Sequence, residues 1–337
     1  MCYRCFCSIV PPDILRELSR RGSESSSRTL KDMGRIMEKR SRIQQMTITP
    51  AQISGQGERL VYDSLNRNLQ RHKLVLKEGG SDTADTTANS AYHLSGYVRD
   101  YFRETFGLNS VDNEGMDLIS NIHFQEKYNN AFWDGDEMTY GDGDLELFRN
   151  FASAPDVVAH EITHGVTQFL SNLEYYSQAG ALNEHFSDVF GTIIKQKFLK
   201  HDLQTADWLI GDLVIGEKFP GKALRSMKEP GTANEFDSQP SHMDNYYSGP
   251  DDNQGVHINS GIPNKAFYLA CMETGIDDCT KIWFRTLSHL KSDSDFRQAL
   301  PVFLKSAEEL VRSGEVTQNA REVVARSFES VGIVQTL

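Results

Sequence analysis

Long apolar runs are missing from this 337-residue chain, since no uninterrupted stretch approaches the roughly 20 residues that span a bilayer, and no membrane partner is expected. Its first dozen residues also lack an apolar stretch ending in a small-residue cleavage site, so no secretory signal is visible. A cytoplasmic location, or export by a non-classical route, is the expectation. Basic residues are few, 35 against 47 acidic, and the net charge of −12 with no basic stripe argues against a nucleic-acid surface. Cysteine is scarce: five residues, an odd number, argue against a disulfide framework, and Cys271 and Cys279 read as buried thiols. Cys2, Cys5 and Cys7 could chelate a metal, but no second ligand pair accompanies them. Internal repeats are absent too.

The length suggests two lobes around one cleft with an extra segment, and a monomer is expected. Residues 1 to about 45 stand apart in composition: Pro11-Pro12, a stretch able to seed a short helix at Ile14, Leu15 and Leu18, a Ser-rich linker at 23–27, then a basic segment to Arg42. A core begins near Met46. Short β-type runs at 59–62 and 73–76 flank a helical pattern at 88–105, where Tyr92, Val98, Tyr101 and Phe102 recur with helical spacing and predict packing on a sheet. Helical patterns then dominate, at about 156–171, 180–199, 260–273, 278–290, 295–312 and 317–330. The expected organisation is α+β: a segment 1–45, a β-rich lobe 46–155 and a helical lobe 156–337.

On the first of those helices His160 and His164 are four residues apart, which places both imidazoles on one face, near enough to share a cation. Glu161 sits beside them, placed to act on a water that the metal activates. Asp156 is placed as a cap after Pro155, and apolar neighbours on both sides predict a largely buried helix, which does not hold two histidines and a glutamate cheaply without partners. Catalytic zinc takes three protein ligands and keeps one open position. Downstream, Glu184 and Asp188 share a helical face, so one can bind metal while the other orients a ligand histidine. His185 is rotated by about 100° and reads as a surface or packing residue.

His160-Glu161-Ile162-Thr163-His164 followed by Asn183-Glu184-His185-Phe186-Ser187-Asp188 resembles the signature of the thermolysin-like zinc peptidases. The resemblance extends through Asn130-Ala131-Phe132-Trp133, Tyr140-Gly141-Asp142-Gly143-Asp144, Leu224-Arg225-Ser226-Met227 and Gly255-Val256-His257-Ile258-Asn259-Ser260-Gly261, spanning about 58 to 337. It implies a two-lobed fold with the zinc helix between the lobes, and a neutral endopeptidase with one catalytic Zn²⁺ held by His160, His164 and Glu184, with Asp188 behind them. Glu161 would be the general base, Tyr175 and His257 oxyanion donors, and Asp252 the residue that orients His257; Tyr176 stands next to Tyr175. Asn130 and Ala131 would hold the substrate backbone and Arg225 a carbonyl on the leaving-group side. Phe148, Val157 and Leu224 would form a pocket preferring a bulky apolar residue there.

Three features depart from the family pattern. Lys195 stands where a calcium-binding glutamate is called for, near Asp156, Asp207 and Asp212, and Leu209 replaces another acid, so no double calcium site is expected. The stretch from Met227 to Asp252 is long, and Gln254 interrupts a glycine pair. Pro11-Pro12-Asp13-Ile14-Leu15 resembles the short propeptide of the protealysin branch. That likeness implies a precursor whose own N-terminal segment blocks the cleft, either by bulk or through a thiol of Cys2, Cys5 or Cys7 on the zinc. Two rivals remain: a zinc-binding protein without turnover, against which Glu161, Tyr175, His257 and Asp252 argue, and an exopeptidase, which needs an upstream acidic amine anchor that is not seen.

Overall fold

The computed structural model describes residues 7–43 and 55–334. Cys2, Cys5 and the expected boundary near Met46 lie outside the described residues. Contacts divide the chain into two units: Met1–Phe169 with Gly211–Lys222, and Leu170–Ile210 with Ala223–Leu337. The His160 helix belongs, through Phe169, to the unit that holds the sheet.

In the first unit come β1 (Cys7–Ser8), α1 (Pro12–Arg20), α2 (Glu24–Ile43), β2 (Arg59–Asp63), β3 (Lys73–Lys77), α3 (Thr86–Phe106), β4 (Leu118–Ile122), β5 (Ala131–Trp133), β6 (Met138–Tyr140) and α4 (Pro155–Leu170). The sheet order is β1-β5-β6-β4-β2-β3. β4 runs parallel to both β2 and β6 and is buried at every position, which is why Leu118-Ile119-Ser120-Asn121-Ile122 does not alternate as a half-exposed strand would. α3 packs on β2, β3 and β4 through Tyr92, Val98, Tyr101 and Phe102, as their spacing predicts. Asp85 caps its start by accepting from Thr87 N and Ala88 N, and Gly107 ends it at φ 72.

His123, just past β4, ties that cap to the loop after β6. Its Nδ1 lies 2.7 Å from Asp142 and its Nε2 2.9 Å from Asp85. The hydrogen bond to Asp142 outweighs burial and, helped by Asp85, raises His123 from 6.5 to about 9. A histidine raised on folding stabilises most below its unfolded value, and that contribution fades as pH climbs through the folded one. His123→Gln is therefore expected to lower the melting temperature by several degrees at pH 6 and by almost nothing at pH 10. A difference that is flat across pH 6–10 would show that the ion pairs contribute nothing.

The N-terminal segment corrects the sequence reading. Residues 23–27, expected as a Ser-rich linker, lead into and form the first turns of α2. Serine favours caps over helix interiors because its hydroxyl competes for backbone. Here Ser23, just ahead of α2, caps it by accepting from Ser26 N, while hydroxyls inside the helix are turned to other segments: Ser25 Oγ donates to Asp144 at 2.6 Å, and Thr29 Oγ1 accepts from Asn129 N. Ser26 and Thr29 are buried, as are Ile14, Leu15 and Leu18 on α1.

The second unit contains α5 (Ser177–Phe198), β7 (Leu209–Ile210), β8 (Arg225–Ser226), α6 (Asp251–Asn259), α7 (Gly261–Thr274), α8 (Ile276–Leu287), α9 (Phe296–Ser313) and α10 (Ala320–Glu329). The bounds of α5 and of α7 to α10 follow the predicted helical patterns closely, whereas α6 had no predicted counterpart. Its core centres on Trp283, whose ring lies 5.0 Å from Phe267 and 4.8 Å from Phe303. Cys271 and Cys279 are buried free thiols. Among the described residues no helix is long and apolar enough to cross a membrane.

Candidate metal centre and active site

Proline can open a helix because its missing N–H would be unpaired there anyway, and α4 starts at Pro155. Asp156 is thus inside the first turn and not the cap expected from the sequence. Its Oδ1 accepts from Val157 N and its Oδ2 from Gly211 N at 2.8 Å, which anchors the helix start. From Pro155 to Gln168 the helix is buried throughout, including His160, Glu161 and His164. Facing ring nitrogens of the two histidines are 3.0 Å apart, close to the ~3.3 Å that two nitrogens on one tetrahedral zinc would show.

Among the described residues one group of His, Cys, Asp or Glu side chains is arranged to hold a metal ion: His160, His164 and Glu184, with ligand atoms within 4.8 Å of one another. All three are fully buried. Two imidazoles and a carboxylate, with no fourth protein donor in the group, suit zinc with one open position. Cys7 is not part of it; it lies in β1 opposite Trp133.

Glu184 sits on α5, whose start runs against α6. A Cβ on Gly180 would come within 2.4 Å of Val256 and 3.0 Å of the Tyr175 backbone, so glycine is required for that approach. Tyr175 donates its hydroxyl hydrogen to Glu184 Oε1 and lies 3.2 Å from His257 Nε2. Tyr176, next to it, is 53% exposed, so the geometry selects Tyr175 from the pair. Asp252 grips His257 doubly: Oδ1 is 2.6 Å from Nδ1, and Oδ2 accepts from His257 N at 2.7 Å. Burial works against the charged imidazole, but Asp252, and then Glu184, overcome it and raise His257 from 6.5 to about 10.

That grip depends on backbone bending. Asp252, Asn253, Gln254 and Gly255 all adopt left-handed dihedrals, with φ between 49 and 79. Each residue with a Cβ costs about 1–2 kcal/mol there, and Gln254 is the least suited of the four. The turn folds the Asp252 carboxylate back over the amide and ring of His257, a geometry that a helical reading of 252–257 does not contain.

Asp188, one turn beyond Glu184, faces Arg225 on β8. The guanidinium donates Nε to Oδ2 at 2.9 Å and Nη2 to Oδ1 at 2.8 Å, and both side chains are buried. Burial disfavours the Arg225 cation, yet the Asp188 charge raises its pKa further. Phe148, Val157 and Leu224 are fully buried, and Phe148 packs 5.2 Å from Phe219. Asn130 and Ala131, at the start of β5, contact this chain's own N-terminal segment. Ile9 N donates to Ala131 O, Val10 N donates to Asn130 Oδ1 at 2.9 Å, and Asn130 Nδ2 donates to Val10 O.

Lys195, fully buried, places Nζ 3.0 Å from Asp207 Oδ1 and 2.8 Å from Leu209 O. Burial raises the Asp207 carboxyl, and the ammonium, with backbone hydrogen bonding, reverses this to a net lowering. His185 is neither on the surface nor merely packed: it is buried between Asn264 and Trp283, and burial lowers it to about 4. Asn264, Trp283 and Asn129 carry contacts that no motif marks.

A buried helix bearing two histidines and a glutamate, a carboxylate on a second helix that joins the two histidines in a group able to hold a metal, and a tyrosine and histidine pair beside that carboxylate suit a metal-dependent hydrolase. Comparison with known proteins gives the family. Residues 20–168 match the catalytic domain of the thermolysin metallopeptidases, and residues 171–333 match their alpha-helical domain. An extracellular metalloprotease of Pectobacterium carotovorum subsp. carotovorum is 37% identical over 345 residues, covering 98% of this chain and 97% of that protein. Protease PrtS of Photorhabdus sp. (strain Az29) is 34% identical over 349 residues, 96% of this chain and 91% of that one. Among solved structures, the precursor of protealysin from Serratia proteamaculans superposes with a TM-score of 0.84 at 36% identity, over 97% of this chain and all of the other. The chain belongs to the thermolysin family of metallopeptidases and is a metalloendopeptidase with the α+β fold of that family.

Proposed function

We propose that this chain is a zinc-dependent neutral endopeptidase made as a self-inhibited precursor, cutting where a bulky apolar residue lies on the leaving-group side. The observation that carries the reading is the convergence of His160, His164 and Glu184, with Glu161 on the same buried helix. Zinc held by these three would polarise the scissile carbonyl and bring the pKa of a water towards neutrality. Glu161 takes the proton of the attacking water and delivers it to the departing nitrogen. Tyr175 and the charged His257 donate to the oxyanion, and Asp252 keeps His257 oriented and protonated. Asp188 orients a ligand histidine and holds Arg225, whose guanidinium has five N–H donors, enough to serve a substrate carbonyl as well. Phe148, Val157 and Leu224 supply the apolar wall.

Residues 1 to about 45 act as the propeptide, of the protealysin type, ahead of catalytic lobes 46–155 and 156–337. Backbone pairing of residues 7–10 with β5, on Asn130 and Ala131, supports a segment lying where substrate would lie. One relative's printed name, an extracellular metalloprotease, supports action outside the cell on proteins and peptides, and the chain would act as a monomer. Lys195 replaces bound calcium at the family's acidic cluster with its own point charge.

Chelator treatment is expected to abolish peptide hydrolysis, and zinc alone to restore it. With zinc saturating, millimolar calcium should move the melting temperature by less than about 1 °C, because binding to the folded state alone would raise it measurably. Full activity after complete zinc removal would sink the catalytic reading, and strong calcium stabilisation the Lys195 reading.

A further inference from the structure

An indole N–H donates and cannot accept. Trp283 Nε1 lies 2.7 Å from His185 Nε2, so that nitrogen is the acceptor and the imidazole carries its proton on Nδ1. The Nδ1 proton points to Asn264 Oδ1 at 2.7 Å. With its oxygen so engaged, Asn264 presents Nδ2 to Asp188 Oδ2 at 2.9 Å. The indole at one end thus assigns each donor and acceptor in turn, down to the carboxylate at the other. All four side chains are buried, where a mispaired polar atom is costly.

An asparagine amide has two nearly isosteric orientations. Turned over, Asn264 would aim its oxygen at Asp188 Oδ2, setting acceptor against acceptor and removing a charge-assisted bond. Arg225 holds the same carboxylate from its other side, through Nε on Oδ2 and Nη2 on Oδ1. Asp188 is therefore clamped between a cation and an amide whose direction is set two residues further back.

We infer that His185 and Trp283 are positioning residues of the active site: they lock the Asn264 amide so that Asp188 is held in one orientation for a zinc-ligand histidine. The inference rests on the proposed role of Asp188. His185 touches neither substrate nor metal in this role. Its position beside Glu184 in sequence follows from helix geometry, one rung turned away from the ligand face and into the packing behind it.

The test uses the full chain and reads zinc affinity by competition with a chromogenic chelator, together with melting temperature and the split between kcat and KM. His185→Leu, which removes both polar atoms, should weaken zinc binding about tenfold and lower kcat with KM unchanged. His185→Asn, which keeps a donor near the Nδ1 position, should restore zinc affinity to within about threefold. Trp283→Phe keeps an aromatic ring but frees the imidazole to change tautomer, and should fall between the two; it decides the matter should His185→Leu fail to fold. Variants that melt lower yet bind zinc like the wild type, with His185→Asn no better than His185→Leu, would reduce the chain to core packing and overturn the inference. Asp188→Asn separates the two levels. If it binds zinc as tightly as the wild type, the role of Asp188 fails and this inference with it; if it alone weakens zinc tenfold or more, only the inference fails.

Discussion

Glu161→Gln is expected to leave the fold and zinc content unchanged while lowering kcat about 100- to 10,000-fold, the range that a positioned general base supplies. The amide has the shape of the carboxylate, and burying it at a fully enclosed position of α4 costs less than burying a charge. Packing around His160 and His164 is therefore retained. What is lost is a proton acceptor between the water and the leaving nitrogen. Hydrolysis of an internally quenched peptide, with metal content measured on the same sample, checks both halves. A variant that turns over at the wild-type rate would end the mechanism, and one that loses its zinc would show that Glu161 supports the ligands instead.

Clipping the folded chain after the N-terminal segment is expected to raise peptidase activity by about 100-fold or more. Cys7, Ile9, Val10, Ile14, Leu15 and Leu18 are almost fully buried. Such side chains each contribute up to about 1.5–3 kcal/mol, an upper bound that ordering and polar costs reduce. A net preference of only about 3 kcal/mol for the covered state corresponds to some 100-fold latency. Because the hold is backbone pairing, Asn130 and the Ser25–Asp144 contact, Cys7→Ser should stay latent before clipping. Unclipped Cys7→Ser that is as active as the clipped protein would instead assign inhibition to a thiol. Equal activity before and after clipping would remove the propeptide reading altogether.

The helical part of the fold was legible because its signals are local. Amphipathic spacing placed α3, α4, α5 and the helices from α7 to α10 within a few residues but not α6, and His160 with His164 needed only the helical period to share a face. α2 was not legible: its serines are poor helix formers in isolation, and their partners, Asn129 and Asp144, lie about a hundred residues away. Short β5 and β6 gave too few alternations to register as strands. The same limit hid the role of His185. Helix rotation correctly turned it off the Glu184 face, but nothing in one sequence says that Asn264 and Trp283 wait there.

By itself the sequence determined the helix periods, the pairing of two imidazoles with a neighbouring carboxylate, and the family through the order of its motifs. Each is a property of neighbours along the chain, set by 3.6 residues per turn. Tertiary structure alone decided that Tyr175 and not Tyr176 turns towards Glu184, that a left-handed turn brings Asp252 onto His257, and that residues 7–10 lie along β5. Those are contacts between distant segments or rare backbone states, whose energy comes from burial and pairing that no local pattern encodes.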